Sequence, residues 1–145
     1  MLHLQIQVAS RLPGVPTPTN LRKWLRLCAP AGARLTLRIV NRVEGRKLNR
    51  EFRNKDYATN VLTFAYGETP VEADIVLCAP VIAAEAREQG KLLNAHYAHL
   101  TIHGVLHACG YDHETVRDAA RMEAREVAIL GKLGIRNPYL VSAAT

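Results

Sequence analysis

His103-Gly104-Val105-Leu106-His107-Ala108-Cys109-Gly110-Tyr111-Asp112-His113 reads H-x-x-x-H-x-x-G-x-x-H. Histidines four residues apart share one helix face, a turn above each other. Gly110 is the residue type that lets a helix end and the chain swing back. That return carries His113 toward the same point, so three imidazoles converge and a fourth coordination position stays open. Three protein ligands with an open position describe a catalytic rather than a structural zinc. The stretch therefore asks for a long helix, a tight reversal and a cleft beside them.

The spacing matches the extended zinc-protease pattern H-E-x-x-H-x-x-G-x-x-H except at one position. Where that pattern has its general-base Glu, this chain has Gly104. The alternative to ligation is a chance i, i+4 pair of surface histidines, yet half of the six histidines of the chain lie in these eleven residues. At 100° per residue, His96 and His99 extend the stripe of His103 and His107 within one narrow arc. Both read as extra ligands, as partners that orient a ligand or as plain helix-face residues, and the last two are favoured because three ligands already explain the site. Cys109, two residues past His107, points away from that face and reads as a buried thiol.

Working outward, Asn94 is the expected cap of the histidine helix, which runs to about Cys109 with Ala98, Ile102, Val105 and Cys109 opposite the histidines. One face then meets the core and the other a cleft. Downstream, a last helix is expected over about Glu114 to Leu130, with Val116, Ala120, Val127 and Leu130 inward and a solvated stripe of Arg117, Arg121 and Arg125. Upstream, Leu2–Val8 and Arg34–Val40 alternate as half-buried strands do. Thr59–Phe64 is rich in β-formers, and Ala73–Cys78 reads as a buried strand. Arg11–Pro18 and Gly67–Glu72 read as loops. Thr19 is the expected cap of a helix from Asn20 to about Cys28 whose apolar face is Leu21, Trp24, Leu25 and Cys28. Asn41 caps a helix to about Phe52, and Pro80 suits the first turn of a helix that ends at Gly90. Intermixed strands and helices give an α+β (mixed α/β) class. We expect a single domain over 1–145, with a small mixed sheet of about four strands and about five helices.

The chain has 145 residues, 48% of them apolar and 22% charged, the composition of a folded domain with its own core. No apolar run approaches membrane-spanning length, and the alternating start gives no sign of a signal peptide. Three cysteines, odd in number and widely spaced, suit reduced thiols in a cytoplasmic setting. The net charge of +6 is compatible with a polyanionic partner. From Arg42 to Lys55 six basic residues face two glutamates. Arg42, Arg46, Lys47, Arg50 and Lys55 read either as a solvated helix face or as a phosphate-contacting surface.

With these segments placed, the chain resembles the YbeY family of bacterial metal-dependent endoribonucleases from about Leu35 to Tyr139. The hallmark H-G-x-L-H-x-x-G-Y-D-H stands complete at 103–113. A second motif stands as Arg53 followed by Thr59-Asn60-Val61-Leu62-Thr63-Phe64. The resemblance implies one zinc per chain on His103, His107 and His113, and a catalytic role for Arg53. It further implies single-strand-specific cleavage in ribosomal RNA maturation, 16S 3′-end processing and ribosome quality control. The partners implied are ribosomal RNA and the ribosome or its associated proteins. Zinc lowers the pKa of water to about 7 or polarises a phosphate oxygen, and Arg53 can hold two phosphate oxygens at once. Asp112 reads as an acceptor for a ligand imidazole or a helix cap, and Asp74 as such an acceptor or a strand-end residue. Ala58, Asn60, Ala65 and Ala73 depart from the family pattern. Two other readings are a peptidase-like metal hydrolase, which the missing base at Gly104 disfavours, and a non-catalytic ribosome-associated RNA-binding module.

Overall fold

The computed structural model describes residues 1–140. In chain order its elements are β1 (His3–Val8), α1 (Pro18–Cys28), β2 (Arg34–Val40), α2 (Arg42–Arg53), β3 (Val61–Glu68), β4 (Val71–Cys78), α3 (Ala79–Glu88), α4 (Leu93–Ala108) and α5 (Val116–Lys132). The four strands form one mixed sheet in the order β1-β2-β4-β3. β1 and β2 run parallel, as do β2 and β4, whereas β3 and β4 form an antiparallel hairpin. The α+β class, the four strands and the five helices agree with the reading of the sequence.

Strand alternation decides what each sheet face covers. Leu35, Leu37 and Ile39 of β2 lie beside Ala73, Ile75 and Leu77 of β4. These six side chains point into the main core with Leu21, Trp24 and Leu25 of α1, Ile102 and Val105 of α4, and Met122, Ile129 and Leu130 of α5. The intervening residues Val40, Leu62, Val76 and Cys78 form a smaller cluster against Leu48 of α2. Gly45 brings α2 close there, since a Cβ on it would stand 3.1 Å from the Cys78 sulfur. The sheet is thus a middle layer, with α4 the central helix on its main-core face.

Gly104 sets how near α4 approaches that sheet. A Cβ at this position would lie 2.8 Å from Ile75 Cγ2 and 3.3 Å from Thr63 Oγ1. The bare backbone instead accepts a hydrogen bond from the Thr63 hydroxyl at Gly104 O, 3.3 Å away.

Several boundaries differ from expectation, each for a physical reason. The expected loop at Gly67–Glu72 is mostly strand. β3 continues to Glu68 and β4 begins at Val71, whose side chain is buried, with a register shift between Ala65 and Gly67. Thr17 rather than Thr19 caps α1, accepting from Asn20 N at 3.2 Å, because Pro18 suits the first helical turn. Leu92, not Asn94, precedes α4. Asn41 stands at the start of α2 without a side-chain cap bond, its Oδ1 accepting from Ser10 Oγ at 2.7 Å.

α5 starts after Thr115, whose hydroxyl accepts from Asp118 N at 3.0 Å. Its inward stripe is Met122, Glu126, Ile129 and Leu130. Val116 and Ala120 are exposed, so the expected inward stripe is corrected at those two positions. The expected division of α4 into a core face and a cleft face is corrected too. His96 and His99 are buried, whereas His103 and His107 are half-buried. No described helix is long and apolar enough to cross a membrane.

Candidate metal centre

His103 and His107 project from the last two turns of α4 with ring centroids 4.7 Å apart. The helix closes through bonds from Gly110 N to His107 O and from Tyr111 N to Leu106 O, both 3.0 Å. Gly110 sits at φ +97°, in the left-handed region where a side chain is disfavoured. The reversed chain brings His113 back, its ring centroid 5.6 Å from His103 and 5.0 Å from His107. One nitrogen from each imidazole then lies within 4.8 Å of the others.

This donor set fits a metal. Nitrogen ligands about 2.0–2.1 Å from a tetrahedral zinc stand about 3.3 Å from one another. His113 is exposed, so its ring has room to close the difference. Burial holds the His107 imidazole below its usual pKa, and the neighbouring His103 and His113 rings add to that effect. A neutral ring keeps the lone pair that ligation needs.

Behind this trio lies a buried network. Glu126 of α5 is 0% exposed. Its Oε2 lies 3.4 Å from His103 Nδ1 and its Oε1 lies 2.5 Å from His99 Nε2. The Tyr139 hydroxyl donates to Glu126 Oε1 at 2.6 Å. Burial alone would push the Glu126 carboxyl up, but hydrogen bonds from His103, His99 and Tyr139 outweigh it and hold the group down at about 2. Burial, reinforced by the same contact, pushes the Tyr139 hydroxyl well above its usual range, so it remains a donor. Glu126 was absent from the sequence reading. The available signal was an acidic residue on the stripe of Met122, Ile129 and Leu130, where an apolar residue is the rule.

His99 therefore reaches the trio through Glu126. Asp112 lines the same cleft, and its Oδ1 accepts from Glu114 N at 3.2 Å in the link ahead of α5, whose cap is Thr115. Asp74 lies on β4 and accepts from the Tyr66 hydroxyl at 2.8 Å, beside a different cavity. Neither carboxylate bonds an imidazole among the described residues.

The histidines open onto a cleft of about 580 Å³ whose other wall carries Arg53, Lys55 and Tyr57. Arg53 ends α2. Its Nη2 donates to Thr63 O at 2.6 Å, and its guanidinium carbon lies 5.6 Å from the Phe64 ring centre. Phe52 packs edge-on against that ring at 5.4 Å between centroids. One guanidinium nitrogen is thereby anchored while most of its N–H groups remain available.

The other basic residues divide. Arg42, Arg46, Lys47 and Arg50 line a separate groove on the outer side of α2, which shares Tyr57 with the cleft. Arg46 grips Asp56 with two bonds of 2.8 and 2.9 Å, and Arg50 lies 4.0 Å from the same carboxylate. Lys55 alone of the expected phosphate contacts faces the histidines. At Gly104 the direction a side chain would take leads into Ile75 and Thr63, so a protease-type base has no room there.

A family profile described as Endoribonuclease YbeY matches residues 19–134. Proteins similar to this chain include the Endoribonuclease YbeY of Albidiferax ferrireducens, 58% identical over 121 residues, which cover 83% of this chain and 82% of that one. Another is the Endoribonuclease YbeY of Thiobacillus denitrificans, 50% identical over 141 residues, 95% of this chain and 96% of that one. Among solved structures, the solution structure of TM1509 from Thermotoga maritima shares the fold. Its TM-score is 0.62 at 23% identity, over 97% of this chain and 99% of that one.

Proposed function

Because the chain belongs to the YbeY family of endoribonucleases, we propose that it is a single-domain zinc enzyme hydrolysing phosphodiester bonds in single-stranded ribosomal RNA. On this reading it matures the 16S 3′ end, serves ribosome quality control, and works in the cytoplasm with the ribosome or its associated proteins. The observation that carries the reading is one cleft in which His103, His107 and His113 face Arg53 and Lys55.

The chemistry that zinc supplies when held by the three imidazoles is Lewis acidity toward a phosphate oxygen and toward water. Lys55 and Arg53 draw the polyanionic backbone into the cleft. The Arg53 fork matches two non-bridging phosphate oxygens, where negative charge grows as the nucleophile adds. The bond to Thr63 O keeps the guanidinium from swinging away, so little reorganisation is needed as that charge develops. Tyr57, exposed at the cleft edge, offers a ring on which an unpaired base can stack.

The test is cleavage of a single-stranded 16S 3′-end RNA by the purified protein, before and after chelation and again after zinc is restored. We expect activity to vanish and return, and His107→Ala to lose both zinc and cleavage. Full cleavage in chelator, or a full complement of zinc in His107→Ala, overturns the reading.

A further inference from the structure

We propose that Glu126 is a positioning residue for the metal centre: it fixes His103 in the tautomer that carries its proton on Nδ1 and presents Nε2 to the metal. This rests on the zinc reading above and extends it to a residue on another helix.

Three observations converge on Glu126. A neutral imidazole has one N–H and one lone pair, and the partner of one nitrogen decides the role of the other. His103 Nδ1 has a carboxylate oxygen 3.4 Å away, and a carboxylate accepts. The Nδ1 proton is thereby directed inward, and Nε2 is left with the lone pair on the cleft side. The carboxylate itself has no slack. Its Oε1 takes His99 Nε2 and the Tyr139 hydroxyl, and the hydroxyl also reaches Oε2 at 3.1 Å. Finally, no Lys or Arg pairs with Glu126 among the described residues. Its ion-pair partners are His99 and His103. A carboxylate at 0% exposure needs compensating positive charge nearby. A divalent ion held by His103 would supply it through the ring.

His96 follows the same rule two turns back: its Nε2 meets Glu85 Oε1 at 3.0 Å, and its Nδ1 is buried without a partner among the described residues. His99 likewise has Nε2 on Glu126 and, among the described residues, an unpartnered Nδ1. Of these three rings on α4, only His103 turns Nδ1 rather than Nε2 to its carboxylate. The one ring whose outer nitrogen must ligate is the one held the other way round.

Two measurements test this. In the metal-free wild-type protein, nitrogen-15 NMR of labelled histidines should show His103 with its proton on Nδ1. Competition with a chromophoric chelator should show zinc affinity falling about 10-fold in Glu126→Gln, which keeps an uncharged acceptor, and toward 100-fold in Glu126→Leu, which keeps none. Tyr139→Phe leaves the carboxylate in place and should stay within a few-fold of wild type. His103 protonated on Nε2, or wild-type zinc affinity in Glu126→Gln, overturns the proposal while leaving the zinc reading intact. Because the NMR arm uses the unaltered chain, a variant that fails to fold does not shelter the idea. Failure of the wild type to bind zinc overturns both.

Discussion

A single methyl group at position 104 would lie 2.8 Å from Ile75 Cγ2, closer than packed atoms tolerate. Gly104→Ala should therefore destabilise the fold by about 1–3 kcal/mol, as overpacking does, less the roughly 1 kcal/mol that alanine gains over glycine in a helix. The check is the urea midpoint at unchanged slope, and a midpoint at or above wild type would mean the sheet yields freely there. Asn60 carries a related lesson. Its amide nitrogen donates to both Glu85 oxygens at 3.1 and 3.2 Å, while its Oδ1 accepts from Val61 N at 2.6 Å. An aspartate there would set one carboxylate against another, so the departure from the family pattern suits the local charge. What was legible at this scale was local. His103, His107, Gly110 and His113 lie within one helical end, where spacing alone dictates direction. Glu126 was not legible because its partners His103 and His99 stand 23 and 27 residues away.

The helices differ in how plainly their faces were written. α1 showed Leu21, Trp24 and Leu25 inward as expected, whereas the small and apolar residues of α5 suggested a stripe that tertiary packing overrode. Met122, Ile129 and Leu130 fill the core, and Val116, at 90% exposure, does not. α2 is cut differently from the charge count. Its outer side holds Arg46 in a tight pair with Asp56, and its C-terminal end delivers Arg53 to the cleft. Position on the helix, not basicity, separates the two roles. Arg53→Ala should keep zinc and fold, bind RNA within several-fold of wild type, and cleave about 10²–10³ more slowly in single turnovers. Arg53→Lys should recover only part, because a point charge cannot span two oxygens. A near-normal single-turnover rate in Arg53→Ala would make the Thr63 bond its whole purpose.

Across the whole molecule, burial of histidines ties folding to pH. The His96 ring is held below its ordinary pKa by burial, against the pull of Glu85. A group lowered in the fold binds its proton more readily when unfolded, where its pKa is about 6.5. The stability it contributes is thus full above about pH 6.5 and is lost as acidification approaches the lower folded value. Melting of the metal-free protein should begin to fall below that pH, and His96→Asn should flatten the slope. A second loss should follow as pH drops from the unfolded carboxylate range near 4.3 toward the value of about 2 held by Glu126. An unchanged melting temperature from pH 7 to 5 in the wild type would refute the first step. The mixed sheet order was not legible at all, since parallel pairing joins residues as distant as Leu35 and Ala73 and leaves no local signature. That order also has an outcome for loading. His103 and His107 ride on a helix clasped by the sheet and by neighbouring helices, whereas His113 hangs on the short link between α4 and α5. On the metal reading proposed above, the frame would hold two ligands ready and the link would place the third, so exchange of an ion would ask for movement of that link and not of the domain.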